Sequence, residues 1–537
     1  MTSLIDETYD QVGEQVAPAA AQPEHRSVAL SRPLIITGLI LATALSALEG
    51  TIVATAMPTI VGVLGGLPLY SLVISVYLLT ATTLVPLYGK LSDMYGRKPI
   101  FMLGVGLFIF GSALCGLAWD MPSLIAFRAI QGLGAGAVLP ISLTIIGDLF
   151  ELEERARLQG VFGAVWGVSG ILGPLVGGAI VQHTDWRWVF LINVPVGIVS
   201  ALLLFFYLRE PKMHTRQRID IAGAVTLTLG VGMLLMVLQS SGHGGWLSTT
   251  TLLLTVGAVL LLALFVWVEK RAVAPVLSLD LLSRRIIAVP CLVGILAHGV
   301  LVGFAAYVPL LSQGAWGSTP IEAGLIIAPL SVGWPLASAL SGRFIRRFGY
   351  RPVTLVGLVT VLAGTLLLLS VQFPFVSSNL TLRVAAVLIG SMISGLGFGM
   401  SSTAMLIAVQ TSVAWKERGA ATGAVMFSRS MGYAVGASAL GAILTASLSS
   451  IFATERLRQA VSQMPAEALK AGSDPTLGPV NALFDLNVRD TLPPPVRAAL
   501  ADALASSLWW VLVGIVLFAV VGTLIATRFP KRIEGKT

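Results

Sequence analysis

Charge is what this sequence has least of. Asp, Glu, Lys and Arg make up 11% of its 537 residues, whereas 55% are apolar. An average soluble domain carries about a quarter charged residues, so this balance excludes a soluble globular chain. Intrinsic disorder is excluded as well, because it needs high charge and few large apolar side chains. Cysteine is scarcer still. Cys115 and Cys291 lie far apart in long apolar runs, which rules out a disulfide framework or a thiolate metal site. No nucleophile, base and metal-ligand set converges in the sequence, so an enzyme is not expected, nor is any cofactor or metal. With a mean hydropathy of +0.87, the chain belongs in a lipid bilayer.

What is present is a series of apolar runs, each long enough to cross about 30 Å of hydrocarbon as a helix. Fourteen are expected, near 33–58, 70–91, 99–119, 122–148, 157–181, 188–208, 219–239, 249–268, 286–312, 320–341, 352–373, 381–410, 420–446 and 506–528. The polar stretch 1–32, with Asp6, Glu7, Asp10, Glu14 and Glu24, has no basic start before a short apolar core. It reads as a cytoplasmic tail rather than a cleavable signal. If both termini are cytoplasmic, 25 of the 34 basic residues fall on the cytoplasmic side. That bias predicts a multi-pass inner-membrane protein and explains the basic balance, with a formal charge of +8, without any nucleic acid.

The chain also repeats itself. Gly89-Lys90-Leu91-Ser92-Asp93-Met94-Tyr95-Gly96-Arg97-Lys98-Pro99 aligns with Gly342 to Pro352 at an offset of 253, and both copies sit between two spans. Gly132-Leu133-Gly134 aligns with Gly395-Leu396-Gly397 at an offset of 263, as Glu154-Arg155 does with Glu417-Arg418. The expected organisation is an all-α integral membrane protein. Two six-helix bundles, 33–209 and 286–529, flank a linker, 210–285, that carries two extra spans. An outer loop, 447–505, interrupts the second bundle, and 530–537 is a cytoplasmic tail. Repeated bundles flanking a midplane site are the architecture of alternating-access transporters.

Among the acids, Glu49 alone lies deep inside an expected span. A carboxyl there is costly in lipid and must face protein or water. At 1.5 Å per residue, Glu49 lies about 14 Å below the outer end of its helix and Arg128 about 9 Å below the outer end of the fourth. The two are expected to face one central cavity and to interact directly or through water. Two readings stand open: a proton-coupling switch, or a static ion pair that fixes packing. Gly89 to Pro99 is a tight cytoplasmic turn whose glycines permit close backbone approach, with Asp93, Arg97 and Lys98 free for charged contacts. In the fifth span Gly170, Gly173, Pro174, Gly177 and Gly178 suit close helix contact, specific or generic. Arg429 is a second membrane-embedded cation that binds an anionic substrate group or caps carbonyls. His298 in the ninth span is a candidate proton relay, but a lone histidine on a helix reads first as a packing or hydrogen-bonding residue. Trp166, Tyr307, Trp334, Phe427 and Tyr433 are candidates to line a cavity for a bulky lipophilic ligand. Gly132-Leu133-Gly134-Ala135-Gly136 fits a loose dinucleotide pattern, but it lies within an apolar span and not after a strand.

On these motifs the chain resembles the fourteen-span drug:proton antiporters of the major facilitator superfamily. Gly89 to Pro99 resembles the superfamily's loop signature. Leu124-Ile125-Ala126-Phe127-Arg128-Ala129-Ile130-Gln131-Gly132 resembles the fourth-span motif whose arginine is linked to proton coupling. Gly170 to Gly178 resembles the antiporter motif, and Trp186-Arg187-Trp188-Val189-Phe190-Leu191-Ile192-Asn193-Val194-Pro195 a sixth-span signature of this branch. The resemblance implies that Glu49 occupies a position where relatives usually carry Asp. It also implies that Asp93 and its basic neighbours latch against the start of the thirteenth span. The tenth span has Glu322 near its outer end and lacks the further acid some drug exporters carry there, which weakens any expectation of divalent cation transport. The implied function is proton-coupled export of small amphipathic, often cationic compounds by alternating access, with the oligomeric state open and a functional monomer expected. Export of a lipid, siderophore or other endogenous metabolite is the alternative, and a non-transporting membrane sensor the rival from another class.

Overall fold

The computed structural model describes residues 32–150, 152–208, 210, 220–272, 275, 277, 279–413, 417–464 and 478–530. The expected tails 1–32 and 530–537 lie almost wholly outside them. Among the described residues every regular element is a helix. The reason is compositional: lipid supplies no hydrogen-bond partner, so apolar runs of this length satisfy their backbone only within themselves.

Helices α1 (Arg32–Leu64), α2 (Tyr70–Thr83), α3 (Val85–Tyr95), α4 (Arg97–Gly116), α5 (Met121–Leu149), α6 (Leu152–His183), α7 (Trp188–Leu191) and α8 (Asn193–Tyr207) build the N-terminal half. The pair α9 (Ile221–Gly244) and α10 (Thr249–Glu269) follows. The C-terminal half holds α11 (Leu279–Ser283), α12 (Arg285–Val302), α13 (Val308–Trp316), α14 (Pro320–Phe348), α15 (Tyr350–Leu369), α16 (Pro374–Ser377), α17 (Leu380–Ser412), α18 (Arg418–Phe452), α19 (Glu455–Ser462) and α20 (Pro494–Ala526). One π-helical turn, Gly303–Tyr307, joins α12 to α13. Among the described residues twelve helices are long and apolar enough to cross a membrane. The other two expected spans, 70–91 and 157–181, fall on α2 with α3 and on α6.

The sequence repeat is visible in the backbone. Gly96 (φ 98°, ψ 156°) turns α3 into α4, and Gly349 (φ 84°, ψ 170°) turns α14 into α15 at the matching position. Both conformations are open essentially to glycine alone, which is why each copy of the motif keeps it. Beyond the turns the halves pack alike. A Cβ on Gly104 would stand 2.4 Å from the Ala137 Cβ, and one on Gly357 would stand 2.7 Å from the Ser401 nitrogen. Gly111 against Gln131 and Gly364 against Ser394 repeat the correspondence one turn pair further on. Small residues at these spacings let two helix backbones touch, which supplies the packing energy that apolar burial cannot supply in lipid.

The loop motifs, with Arg97, Lys98, Arg343, Arg346, Arg347 and Arg351, mark a basic end of the molecule; the opposite end is termed the far end here. There the halves are sewn together. Tyr70 Oη donates to Ala306 O at 2.6 Å, Gln313 Nε2 to Thr55 O at 3.3 Å, and Ser75 Oγ to Ala434 O at 2.8 Å. The expected outer loop 447–505 is shorter than its composition suggests. Helix α18 runs on to Phe452, and α20 starts at Pro494, because Pro493-Pro494-Pro495 opens a helix where proline's missing N–H is not needed. Within that segment residues 478–485 fold into the far-end core: Phe484 is 2% exposed, and Gly62 of α1 would carry a Cβ only 2.6 Å from its carbonyl carbon.

Candidate functional site

The structure brings Glu49 and Arg128 into direct contact. The Arg128 Nη1 and Glu49 Oε1 form an ion pair between α5 and α1, with the two side chains 2% and 1% exposed. Further polar groups surround the pair. Asn193 Nδ2 donates to Glu49 Oε2 at 2.6 Å; Arg128 Nη1 also donates to Gln131 Oε1 at 2.7 Å, and Arg128 Nε to Val73 O at 3.2 Å. Gln131 Nε2 continues the chain to Ser112 Oγ at 2.8 Å. Tyr77 lays its ring 3.9 Å from the Arg128 guanidinium carbon, a cation–π contact that covers the open face of the charge. Five helices, α1, α2, α4, α5 and α8, therefore meet on one buried ion pair.

This corrects one expectation. The pair does not face a central cavity between the halves; it is enclosed within the N-terminal half. Helical pitch predicted the common depth, but not which face each side chain takes. Asn193, Gln131 and Tyr77 were missed as partners. Asn193 and Gln131 stand inside quoted motifs, and an amide in an apolar span is the signal that could have found them. Asn193 is placed by a break in the helix after Leu191, where α8 restarts, and Pro195 occupies an early position of α8 that needs no N–H donor.

The glycines of the sixth helix divide between two tasks. A Cβ on Gly173 would lie 1.9 Å from Thr51 Oγ1, and one on Gly177 2.8 Å from Ile52 O, so both press α6 onto α1. Gly170 and Gly178 point at the other half: their Cβ atoms would lie 2.8 Å from Ser331 Cβ and from Ile321 Cα of α14. Gly324 of α14 answers with 2.7 Å to the Pro174 oxygen. The motif is thus a backbone-to-backbone joint between the halves.

At the basic end, Gly89 has open space around it, and Gly96 makes the turn described above. Arg97 Nε pairs with Asp148 Oδ2 at 3.2 Å, and its Nη1 donates to Ser92 Oγ at 3.0 Å. The backbone N–H groups of Arg97 and Lys98 both donate to Glu210, at 2.9 and 3.0 Å, so a carboxylate sits on the N-terminus of α4 as the helix dipole favours. Lys98 Nζ donates to Phe205 O and Leu208 O. These contacts stay within the N-terminal half. The Asp93 side chain lies outside the described residues, so its implied latch onto α18 does too. Glu417, just before α18, pairs with Arg284, whose Nη1 reaches its Oε2 at 2.8 Å. Arg284 holds the Glu417 carboxyl below the usual glutamate range, chiefly through that hydrogen bond.

The expected cavity residues separate. Trp334 and Tyr433 are partly buried and flank His298, with ring centroids 6.1 and 5.7 Å away. Tyr307 is 1% exposed and donates to Ala437 O at 2.9 Å, which places it in the far-end core and not on a cavity wall. Phe427 packs on the cluster of Leu72, Leu227 and Val231, against the inserted helix α9. Sequence could not separate the two, because an apolar helix gives no periodic signal for which face meets protein. The Trp166 side chain lies outside the described residues. Arg429 stands between α12, α17 and α18, with Nη2 donating to Ser402 O at 2.7 Å. A cavity of about 610 Å³ opens at the basic end, lined by Arg343, Arg346, Tyr350 and Ile407 among others; neither Arg128 nor Arg429 lines it.

Comparison with known proteins fits this architecture. The chain is 36% identical over 498 residues to Multidrug resistance protein 3 of Bacillus subtilis, covering 91% of this chain and 94% of that one. It is 37% identical over 438 residues to Multidrug transporter protein MdtP of the same organism, covering 81% and 80%. To Efflux pump dotC of Dothistroma septosporum it is 34% identical over 492 residues, covering 89% and 81%. Among solved structures, an inward-facing, occupied bacterial homologue of the human lysosomal transporter Spinster superposes with a TM-score of 0.64, at 17% identity, covering 92% of this chain and 96% of that one. A D-xylose-proton symporter superposes with 0.55 at 14% identity, covering 94% and 98%. The family model described as Major Facilitator Superfamily matches residues 39–437, and the chain is a multi-pass membrane transporter of that superfamily.

Proposed function

We propose that this transporter exports small amphipathic compounds in exchange for protons, by alternating access in a cytoplasmic membrane. The drug-efflux part rests on relatives named as multidrug transporters across nearly the whole chain. The proton part rests on one observation, the buried Glu49–Arg128 pair with Asn193 on its second oxygen. Within a half that must rearrange, this is the one described carboxyl deep in an apolar helix, and a proton taken up there removes the charge that holds Arg128. The resulting change in helix packing biases one orientation of the halves over the other. Occlusion in this conformation fits a carrier that meets water only after the halves rock.

The inter-half contacts gather at the far end, which supports an inward-facing state with the basic end, and both termini, in the cytoplasm. Each half, with fourteen spans in all, then moves largely as a rigid body about the α6 and α14 joint, with α9 and α10 packed outside α2 and α18. Proteoliposomes with an imposed pH gradient and a panel of dyes test the reading. Uphill dye movement that collapses when the gradient is dissipated is expected; movement indifferent to the gradient overturns the proton part, and no movement of any compound favours a sensor.

A further inference from the structure

We propose that the C-terminal half carries a receptor for the anionic group of a substrate, centred on Arg429, so that amphipathic compounds bearing a carboxylate are preferred over their esters. The inference rests on the efflux reading above and names a substrate class for it.

The two membrane-embedded arginines are treated very differently by their surroundings. Arg128 has a carboxylate, an amide oxygen, a backbone carbonyl and an aromatic face. Arg429 has one hydrogen bond, to Ser402 O at 2.7 Å, and its Nε is buried with no partner. Among the described residues no acid pairs with it. An uncompensated guanidinium is expensive in a low-dielectric interior, and its planar fork is shaped for a carboxylate. Arg429 sits about 16 Å along α18 from the basic end, within the membrane-spanning part of the helix, and is partly exposed. Its spare donors are therefore open to an anionic group carried by a ligand.

The neighbours fit the rest of such a ligand. Arg429 Cγ lies 3.5 Å from where a Gly294 Cβ would be, so that glycine gives the side chain room. One turn along α12, His298 Nδ1 lies 3.0 Å from Gly294 O, and the imidazole is flanked by Trp334 and Tyr433. Among the described residues the Tyr433 hydroxyl has no hydrogen-bond partner, and both rings are partly exposed. A cation with spare donors beside a partly open aromatic wall suits a molecule with an anion at one end and a flat apolar body at the other. The adjacent Ser402 carbonyl, already engaged, offers a cationic group nothing to replace.

The probe is a matched pair of dyes, rhodamine B with its free carboxylate and rhodamine B ethyl ester, measured by fluorescence anisotropy against the full chain in nanodiscs. Wild type is expected to bind the acid about tenfold more tightly than the ester, as a charge-assisted hydrogen bond supplies. Arg429→Gln is expected to erase that preference by weakening the acid alone, and Arg429→Lys to keep part of it. Equal affinities for both dyes in wild type, or an equal loss of both in Arg429→Gln, overturn the anion receptor. If Arg429→Gln does not give monodisperse protein, the wild-type preference and the Arg429→Lys ratio decide: an unchanged ratio with a weaker cationic fork counts against it. Failure of wild type to bind either dye strikes instead at the efflux reading.

Discussion

Removing the Glu49 charge while keeping the side chain's shape should cost more than removing the whole pair. In Glu49→Gln the Arg128 guanidinium keeps its positive charge at 2% exposure with no counter-ion. Breaking a buried pair in this way costs about 3–5 kcal/mol, because one charge is left stranded. The amide partners soften the loss, since Gln131 Oε1 and Val73 O still accept from Arg128. In Glu49→Gln combined with Arg128→Gln no charge remains, and the double variant should recover much of the stability, giving a coupling energy of about 2 kcal/mol or more. Reversible unfolding in mixed micelles of all four proteins measures this cycle. Additive single losses, with coupling under about 0.5 kcal/mol, would refute the claim that the two charges compensate each other.

Further expectations follow from the packing. Gly178→Ala places a methyl 2.8 Å from Ile321 Cα, so α6 and α14 must part at the far end; labelling of far-end cysteine probes by an impermeant reagent should rise, and unchanged labelling would count against the joint. Phe484→Ala removes a 2% exposed ring from the core between α1 and α20 and should cost about 3–5 kcal/mol in the same unfolding assay, with increased far-end labelling. At the start of α5, Asp120 accepts from Ser123 N at 2.8 Å, and hydrogen bonds from Ser123 hold its carboxyl below the usual aspartate range. Its folded value is depressed, so its contribution is present above the ordinary aspartate range and lost as pH falls through the lowered one. Wild type should therefore exceed Asp120→Ala in thermal midpoint at neutral pH, and the gap should narrow in acid.

Much of this architecture was legible in the residues. The offset between Gly96 and Gly349 became two matching backbone turns, since a conformation open only to glycine leaves a mark in sequence. Depth along a helix was legible too, because rise per residue is fixed, and it matched Glu49 to Arg128. Facing was not. A helix apolar all round shows no stripe, so Tyr307 could not be told from a cavity residue, and the pair could not be placed inside its own half. The burial of part of the far-end segment was not legible for a different reason: its polar composition hides Val480, Leu483 and Phe484, which are buried.

The most direct test of proton coupling through Glu49 is substrate-induced proton release from purified, detergent-solubilised protein in weak buffer, followed with a pH-sensitive dye. Wild type should release protons when a transported compound is added, and Glu49→Gln should release none while still binding it. Equal release from both would contradict the account, whatever the pair contributes to stability.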